Sequence, residues 1–269
     1  MFTSLEKSPS LVPMGSIYVL DLSYNRLEGD VPIPTIRSGR TDIILDYSNN
    51  YFNSILPSVG RYLGKTSYLD LSSNKIRGHI PTSVCNASEL QILDLSYNYF
   101  SGVIPSCLAQ RKLGVLKLRG NQIHGVLSDG IREGCMLETI DLSHNYISGK
   151  LPRSLSNCRD LGLLDISDNQ IADSFPSWLG VLPKLQVLVL RSNQFSGLIT
   201  DLQDNDQIMN HFSSLQILDL ASNQFSGNLP KEWFNELESM KENGNDDGQV
   251  VGHQINVEVG FYRDDITIT

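Results

Sequence analysis

The chain has 269 residues, of which 40% are apolar and 19% charged, so it can bury a core and is not a disordered tail. Its net charge of −9 argues against nucleic acid or an anionic membrane surface as a partner, because both require clustered lysine and arginine. No apolar run is long enough to predict a membrane-spanning helix.

An asparagine recurs at a nearly constant interval along most of the chain. The intervals are 25, 24, 24, 23, 24, 24, 24 and 30 residues, and the residue two positions later is apolar in all nine cases. A glycine four positions later and a proline seven positions later each occur in seven of the nine. Such a period predicts a solenoid of stacked coils. These ladder asparagines are Asn25, Asn50, Asn74, Asn98, Asn121, Asn145, Asn169, Asn193 and Asn223.

Each period begins with an alternating segment. Leu93 and Leu95 alternate with Asp94 and Ser96, which predicts a short strand with one buried face. One coil cannot cover its own apolar face, so strands of successive coils stack in parallel. We expect each ladder asparagine to turn inward at the strand end and to pair backbone groups that would otherwise be buried without partners.

The predicted segments follow in chain order. Residues 1–15 are an irregular end of a truncated coil, and residues 16–230 form the repeat array. Within the array, the polar residues Thr200–His211 account for the one long interval and predict a protruding loop.

The repeat stops after Pro230. Trp233, Leu237 and Met240 share one face of a predicted short helix, Lys231–Glu242, which is followed by a polar linker. Alternation in Gln254–Phe261 and again at Ile266 and Ile268 predicts a hairpin.

The period resembles the leucine-rich repeat in its plant extracellular form, LxxLxLxxNxLxGxIP. Local signatures strengthen the resemblance: Ile80–Cys85 with Ile104–Leu108, Leu151–Cys158, Asp173–Leu179 and Phe261–Thr269. From about Ser16 to Thr269 the chain is similar to the ectodomain of a plant leucine-rich-repeat receptor-like protein, of the group that includes the fungal-resistance receptors. The resemblance implies an α/β solenoid, a right-handed superhelix with a concave parallel sheet of about nine repeats. Residues 231–269 resemble the opening of the island that interrupts the repeats in this family.

The resemblance also implies a function. Proteins of this family recognise ligands without catalysis and signal in defence or development through a partner leucine-rich-repeat receptor kinase and a co-receptor kinase. The expected ligand is a peptide, a protein elicitor or a glycan. The full-length family member lies in the plasma membrane with this region outside; the present chain starts inside the array and ends inside the island, so we expect a piece without signal peptide or membrane helix.

Two other functions stay open. One is a secreted inhibitor of cell-wall-degrading enzymes, similar to the polygalacturonase inhibitors, although these carry a cysteine-bearing cap where residues 231–269 stand. The other is a structural scaffold without a ligand. No enzyme motif occurs, and the five histidines occupy unrelated repeat positions, so we predict neither catalysis, nor a metal, nor a cofactor.

The concave face is the expected binding surface. Four positions before the ladder asparagine, seven coils carry aspartate, while Lys117 and Val189 interrupt the row. A basic spot edged by aromatic side chains would receive an acidic or polar group of the ligand. Alternatively, aspartate is simply the habitual strand residue and Lys117 relieves repulsion. The candidate binding residues are Tyr68, Tyr97, Lys117, Arg119, Thr139, His144 and Arg191.

Covalent modifications are predicted at two kinds of residue. Asn86 begins the Asn-Ala-Ser glycosylation sequon. Cys85 and Cys107 are 22 residues apart and Cys135 and Cys158 are 23 apart, which places each pair on adjacent coils. Disulfides in an oxidising compartment and buried thiols packed as small apolar groups are both compatible with this spacing.

Overall fold

The computed structural model describes residues 13–14, 18–36, 41–110, 112–199, 212–229, 256–259 and 262–265. Within them the chain winds as stacked coils, each named below by its ladder asparagine. One strand from each coil joins a nine-stranded sheet in chain order. All pairings in this sheet are parallel. The strands are Val19–Asp21, Ile43–Asp46, Thr66–Asp70, Ile92–Asp94, Val115–Lys117, Thr139–Asp141, Leu163–Asp165, Val187–Val189 and Ile217–Asp219.

A second row of strands follows the ladder asparagines and forms the lateral face of the solenoid. Five strands make one sheet, and two further pairs flank it. The row consists of Glu28–Asp30, Tyr51–Ser54, Arg77–His79, Tyr99–Gly102, Gln122–Val126, Tyr146–Gly149, Gln170–Ile171, Ser196–Leu198 and Gln224–Ser226. A short parallel pair, Pro13–Met14 with Thr35–Ile36, lies near the N-terminus.

The described helical segments are all single 3₁₀ turns, and they close the coils on the return path. They are Val59–Arg61, Thr82–Asn86, Ser106–Gln110, Arg153–Asn157 and Ser177–Val181. The Asn121 coil, in which Ser128 replaces the repeat proline, has no such turn. A cavity of about 60 Å³ lies there, lined by apolar residues that include Leu127 and Ile131.

Most of the core is one continuous cluster that runs from Val31 to Leu215, and two smaller buried clusters are separate from it. The apolar residue two positions after the asparagine is fully buried in the middle coils, as Phe100 and Ile123 illustrate. In the first coil the equivalent Leu27 is 39% exposed.

Eight of the nine ladder asparagines join their coil to the preceding one, whereas Asn25 Nδ2 donates to Leu22 O and Ser23 O of its own coil. Asn145 Nδ2 donates to Leu142 O and Ser143 O in its own coil and to Leu118 O of the coil before, at 3.0–3.1 Å. Its Oδ1 accepts the Ile123 N–H at 3.0 Å. The same backward pair of bonds occurs at Asn50, Asn74, Asn98, Asn121, Asn169, Asn193 and Asn223.

The C-terminal part is described only at two strands. Asn256–Val259 pairs antiparallel with Tyr262–Asp265, which forms a hairpin in the region where alternation predicts one. The second strand begins earlier than the alternation at Ile266 and Ile268 indicates, because Val259 pairs directly with Tyr262. The predicted loop Thr200–His211 and the predicted helix Lys231–Glu242 lie outside the described residues.

Candidate functional site

The aspartate row has a structural role that the sequence pattern does not reveal. In all seven coils with aspartate, its Oδ1 accepts the backbone N–H of the residue two positions later, at 2.7–3.0 Å. This is an Asx turn, which satisfies a backbone donor at the strand end. This hydrogen bond gives a structural reason for aspartate at this position, which supports the alternative that the aspartate row is a habitual feature of the strand and not a ligand site.

The turn that follows is equally regular. The residue directly before each ladder asparagine has a positive φ, between 50° and 56° in eight coils and 67° at Gly120. Tyr97 and His144 occupy this position in their coils and are exposed. A left-handed residue is costly for most side chains, so the Asx turn and the ladder bonds must hold it.

The two coils in which the aspartate row is interrupted also differ from the other coils at a second position. Where Lys117 and Val189 replace aspartate, the residue two positions later is an arginine, Arg119 or Arg191. The strands stay in register, since Lys117 lies between Asp94 and Asp141 in neighbouring strands. Both interruptions therefore replace an Asx turn by a long cationic side chain on the concave surface.

The two arginines have different partners. Arg119 Nη2 lies 3.2 Å from His144 Nε2, and its Cζ lies 5.9 Å from the centroid of the Tyr97 ring. Arg191 Nη1 lies 3.6 Å from an Asp219 carboxylate oxygen. His144 Nδ1 in turn lies 3.5 Å from an Asp168 carboxylate oxygen. Lys117 Nζ is 3.9 Å from Asp94.

These side chains enclose a pocket of about 380 Å³ on the concave face. It extends across the coils from Asn121 to Asn223, and cationic and anionic groups share its walls. Its lining consists of Arg119, His144, Asp165, Ser167, Asp168, Val189, Arg191, Ile217 and Asp219.

The carboxylates of the concave row differ in their electrostatic environment. Burial, reinforced by the charge of Asp141, raises the pKa of the Asp165 carboxyl, while the hydrogen bonds from Ser167 and the charge of Arg119 oppose the shift. Burial and then the charge of Asp94 raise the pKa of Asp70 to about 7. The charge of Arg119 favours the ionised carboxylate of Asp165, although burial and the charge of Asp141 shift the pKa in the other direction.

Of the seven candidate binding residues, Arg119, His144 and Arg191 line the pocket. Tyr97 lies beside it through its contact with Arg119, whereas Lys117 pairs with Asp94, which is not one of the lining residues. The prediction that Tyr68 and Thr139 bind a ligand is corrected, because these residues are 5% and 0% exposed and so are not available on the surface. Both residues lie six positions before a ladder asparagine, where side chains of neighbouring strands pack against one another. Tyr68, for example, packs with Ile44, Ile92 and Val115 of other coils.

Three acidic residues of the pocket are not among the binding candidates predicted from the sequence. Asp165, Asp168 and Asp219 all belong to positions that alignment of the coils on their asparagines would bring beside Arg119 or Arg191. The available signal was the coupled change at the two interruptions, where loss of the aspartate coincides with gain of an arginine.

Both cysteine pairs are disulfide-bonded, Cys85 to Cys107 and Cys135 to Cys158, with Cα atoms 5.9 and 4.6 Å apart. Each bond links adjacent coils. Asn86 is exposed at the end of the turn Thr82–Asn86, which is accessible to a glycan.

Within the described ranges, no group of three or more histidine, cysteine or acidic side chains is arranged to hold a metal ion. No helix in that part of the chain has the length and apolarity needed to cross a bilayer.

The repeat geometry and the concave pocket define the class as a leucine-rich-repeat protein. A family model for the leucine rich repeat matches residues 111–171, and a second matches 65–87, 89–110 and 214–235. Receptor-like protein 47 of Arabidopsis thaliana is 43% identical over 260 residues, which cover 96% of this chain and 31% of that protein. The chain belongs to the plant leucine-rich-repeat receptor-like proteins and spans about a third of the length of this relative.

Solved structures agree with this assignment. The crystal structure of PEPR1–AtPEP1 aligns with a TM-score of 0.68 at 27% identity and covers 82% of this chain and 34% of that chain. The Arabidopsis receptor kinase HAESA, in complex with the peptide hormone IDA and the co-receptor SERK1, aligns with a TM-score of 0.62 at 26% identity, over 82% of this chain and 40% of that chain.

Proposed function

We propose that this region is the non-catalytic ligand-recognition part of a plant cell-surface receptor and that the concave pocket binds a polar, charged segment of a peptide ligand. The observation that carries the proposal is the pocket itself, in which Arg119 and Arg191 face Asp165 on a surface that elsewhere carries a row of aspartates. Such a mixture of charges suits a peptide with groups of both signs, because each finds an opposite partner.

The proposal includes partners and location by analogy with the relatives. The HAESA complex contains a peptide hormone and the co-receptor SERK1, so a peptide ligand and a kinase co-receptor are the partners we infer here. A leucine-rich-repeat receptor kinase would act as the signalling adaptor in defence or development, at the extracellular face of the plasma membrane. Fold likeness alone does not determine a ligand, so the inference depends on the pocket chemistry.

The test is direct binding of immobilised chain to short synthetic peptides of three compositions: acidic, basic, and mixed in charge. We expect the mixed-charge peptides to bind most tightly. The Arg119→Ala/Arg191→Ala variant should weaken that binding at least about tenfold, because both cationic walls of the pocket are lost.

The matched control is Lys112→Ala/Lys184→Ala, which removes the same charge at exposed ion pairs with Glu89 and Asp160, outside the pocket. The control should bind as the wild type does. Equal loss in both variants would reduce the effect to net charge and contradict the proposed site.

The two alternatives predict other outcomes for the same immobilised chain. A secreted inhibitor would bind polygalacturonase and leave the peptides unbound. A ligand-free scaffold would bind neither probe. Either result would reject peptide recognition by the pocket.

A further inference from the structure

The lateral face carries an exposed row of tyrosines that the concave site does not use. Tyr51, Tyr99 and Tyr146 each stand one position after a ladder asparagine and are 40%, 44% and 55% exposed. In the coils between them, the same position holds Lys75 and Gln122, both exposed. A tyrosine therefore recurs at every second coil; we name these three residues the tyrosine row.

The spacing of the tyrosine row is determined by backbone pairing. Lys75 N donates to Phe52 O and Tyr99 N to Ile76 O, both at 2.8 Å, so consecutive coils are joined at this position. Neighbouring strands lie about 4.8 Å apart, which places successive tyrosines about 10 Å apart along the solenoid axis.

The charge of this face is opposite to that of the concave row. The five strands Tyr51–Ser54, Arg77–His79, Tyr99–Gly102, Gln122–Val126 and Tyr146–Gly149 contain no aspartate or glutamate. Exposed Lys75, Arg77 and Lys150 lie on or beside them. Of the flanking strands, Glu28–Asp30 contains two acidic residues, and Asp173 follows the strand Gln170–Ile171.

The cations lie next to the rings. Lys75 Nζ is 4.2 Å from the centroid of the Tyr51 ring, and Arg77 Cζ is 5.4 Å from that of the Tyr99 ring. Each pair presents an aromatic surface and a positive charge side by side. A ligand whose repeating unit has a flat apolar face and a carboxylate would contact the aromatic ring with the first and the cation with the second.

We propose that the lateral face binds a linear 1,4-linked glycan that carries carboxylates, with its sugar rings stacked on the tyrosine row. The C–H face of a pyranose packs on an aromatic ring, and its carboxylate pairs with Lys75, Arg77 or Lys150. Because the tyrosines recur along the solenoid axis, a linear chain of such sugars can stack on more than one ring. The charge and the exposed rings thus favour the same ligand class.

This site is separate from the concave pocket, and neither site depends on the other. The turn residue and the ladder asparagine stand between the concave strand and the lateral strand in every coil, and none of the three tyrosines lines the pocket. A receptor with both sites would hold a wall polysaccharide on its side while the concave face remains open to a peptide.

The experiment measures binding of the folded chain to three probes of matched length: an oligogalacturonate, a neutral cello-oligosaccharide and polyglutamate. We expect the oligogalacturonate to bind most tightly and its affinity to fall with added salt. Tyr99→Ala/Tyr146→Ala should weaken this binding at least about tenfold, and Lys75→Glu/Arg77→Glu should weaken it by a similar factor.

Two further variants separate stacking from folding and from bulk charge. Tyr99→Phe/Tyr146→Phe retains the rings and should keep the affinity. Gln122→Ala/Gln170→Ala changes the same position in neighbouring coils and should also leave it unchanged. Polyglutamate binding as tightly as the oligogalacturonate, unchanged affinity in the tyrosine-to-alanine variant, or no oligogalacturonate binding would each overturn the proposal.

Discussion

At the scale of single residues, one side-chain type serves two purposes on the concave face. Each aspartate of the row caps a strand end through its Oδ1 and also places a negative charge beside its neighbour one coil away. Asp70 shows the conflict most clearly, because Ser72 N donates to its Oδ1 at 2.7 Å while Asp46 and Asp94 lie opposite it in adjacent strands. The Asx turn requires the side-chain oxygen of Asp70 as a hydrogen-bond acceptor, and it does not require the negative charge of the carboxylate.

We therefore predict that Asp70→Asn stabilises the fold at neutral and alkaline pH. The folded-state pKa of Asp70 is raised from 3.8 to about 7. The stability associated with the protonated carboxyl is thus present below the unfolded pKa and is lost as pH rises through the folded pKa. Asparagine keeps the acceptor without ionising, so the variant should gain on the order of 2 kcal/mol at about pH 8 and little at about pH 4.

Chemical denaturation at both pH values measures the difference. Asp219→Asn is the matched control, because this aspartate also caps its strand but has Arg191 at 3.6 Å. The control should gain nothing at the higher pH. A gain for Asp70→Asn that is the same at both pH values would exclude ionisation as its cause.

At the scale of elements, the lateral strands interlock through the repeat glycine. A side chain five positions after one ladder asparagine lies over the glycine of the next coil. A Cβ on Gly102 would lie 2.5 Å from the His79 ring, and one on Gly149 would lie 2.7 Å from Val126 Cγ1. The glycine is therefore required for its positive φ and also for the space above it.

Two glycines separate these requirements. Gly149 and Gly197 have φ of 82° and 86°, but only Gly149 lies beneath a neighbouring side chain. Both alanine substitutions should cost roughly 1 kcal/mol in backbone strain. Gly149→Ala should cost about 1 kcal/mol more, because stiff Val126 must move.

Urea denaturation of both variants tests the comparison. Adding Val126→Ala to Gly149→Ala should remove the additional loss of stability that comes from the Val126 contact, so that only the loss from backbone strain remains. Equal losses at Gly149 and Gly197 would show that the conformation alone selects glycine.

At the scale of the whole molecule, the stability of the array depends on bonds between consecutive coils. Each described coil contacts its neighbours, and the ladder asparagines provide two hydrogen bonds across each boundary. Removal of one asparagine amide leaves the backbone donor that pairs with its Oδ1 buried without that partner. At Asn145 this donor is Ile123 N, whereas Leu118 O also accepts Asn121 Nδ2 at 2.9 Å.

We predict that Asn145→Ala lowers the free energy of unfolding by roughly 1–3 kcal/mol, because one buried backbone donor left unpaired costs about that much. Exposed Asn53 provides the control, and Asn53→Ala should stay within about 0.5 kcal/mol of the wild type. Urea denaturation gives the energies, and amide hydrogen exchange should become faster on both sides of the Asn145 boundary. A loss for Asn145→Ala no larger than that of the control would refute the role of the ladder.

The molecule as a whole presents two faces of opposite chemistry. The concave face carries the aspartate row, interrupted at the arginine pocket, while the five lateral strands from the Asn50 coil to the Asn145 coil contain no acidic residue and carry exposed tyrosine and basic side chains. Because both faces repeat with the same coil spacing, a ligand on either one would extend along the solenoid axis. This arrangement is the reason why the two proposed sites can be tested independently.

The sequence alone determined the period, the buried alternation of Leu93 and Leu95 and the parallel stacking of coils, because these depend on local patterns that recur nine times. It also placed Arg119, His144 and Arg191 among the candidates, since they lie beside the interruptions of the aspartate row at Lys117 and Val189. Only the tertiary structure decided which of the candidates share a pocket and that Tyr68 and Thr139 are buried. Sheet curvature and side-chain partners arise from the contacts between coils, and no single repeat encodes them.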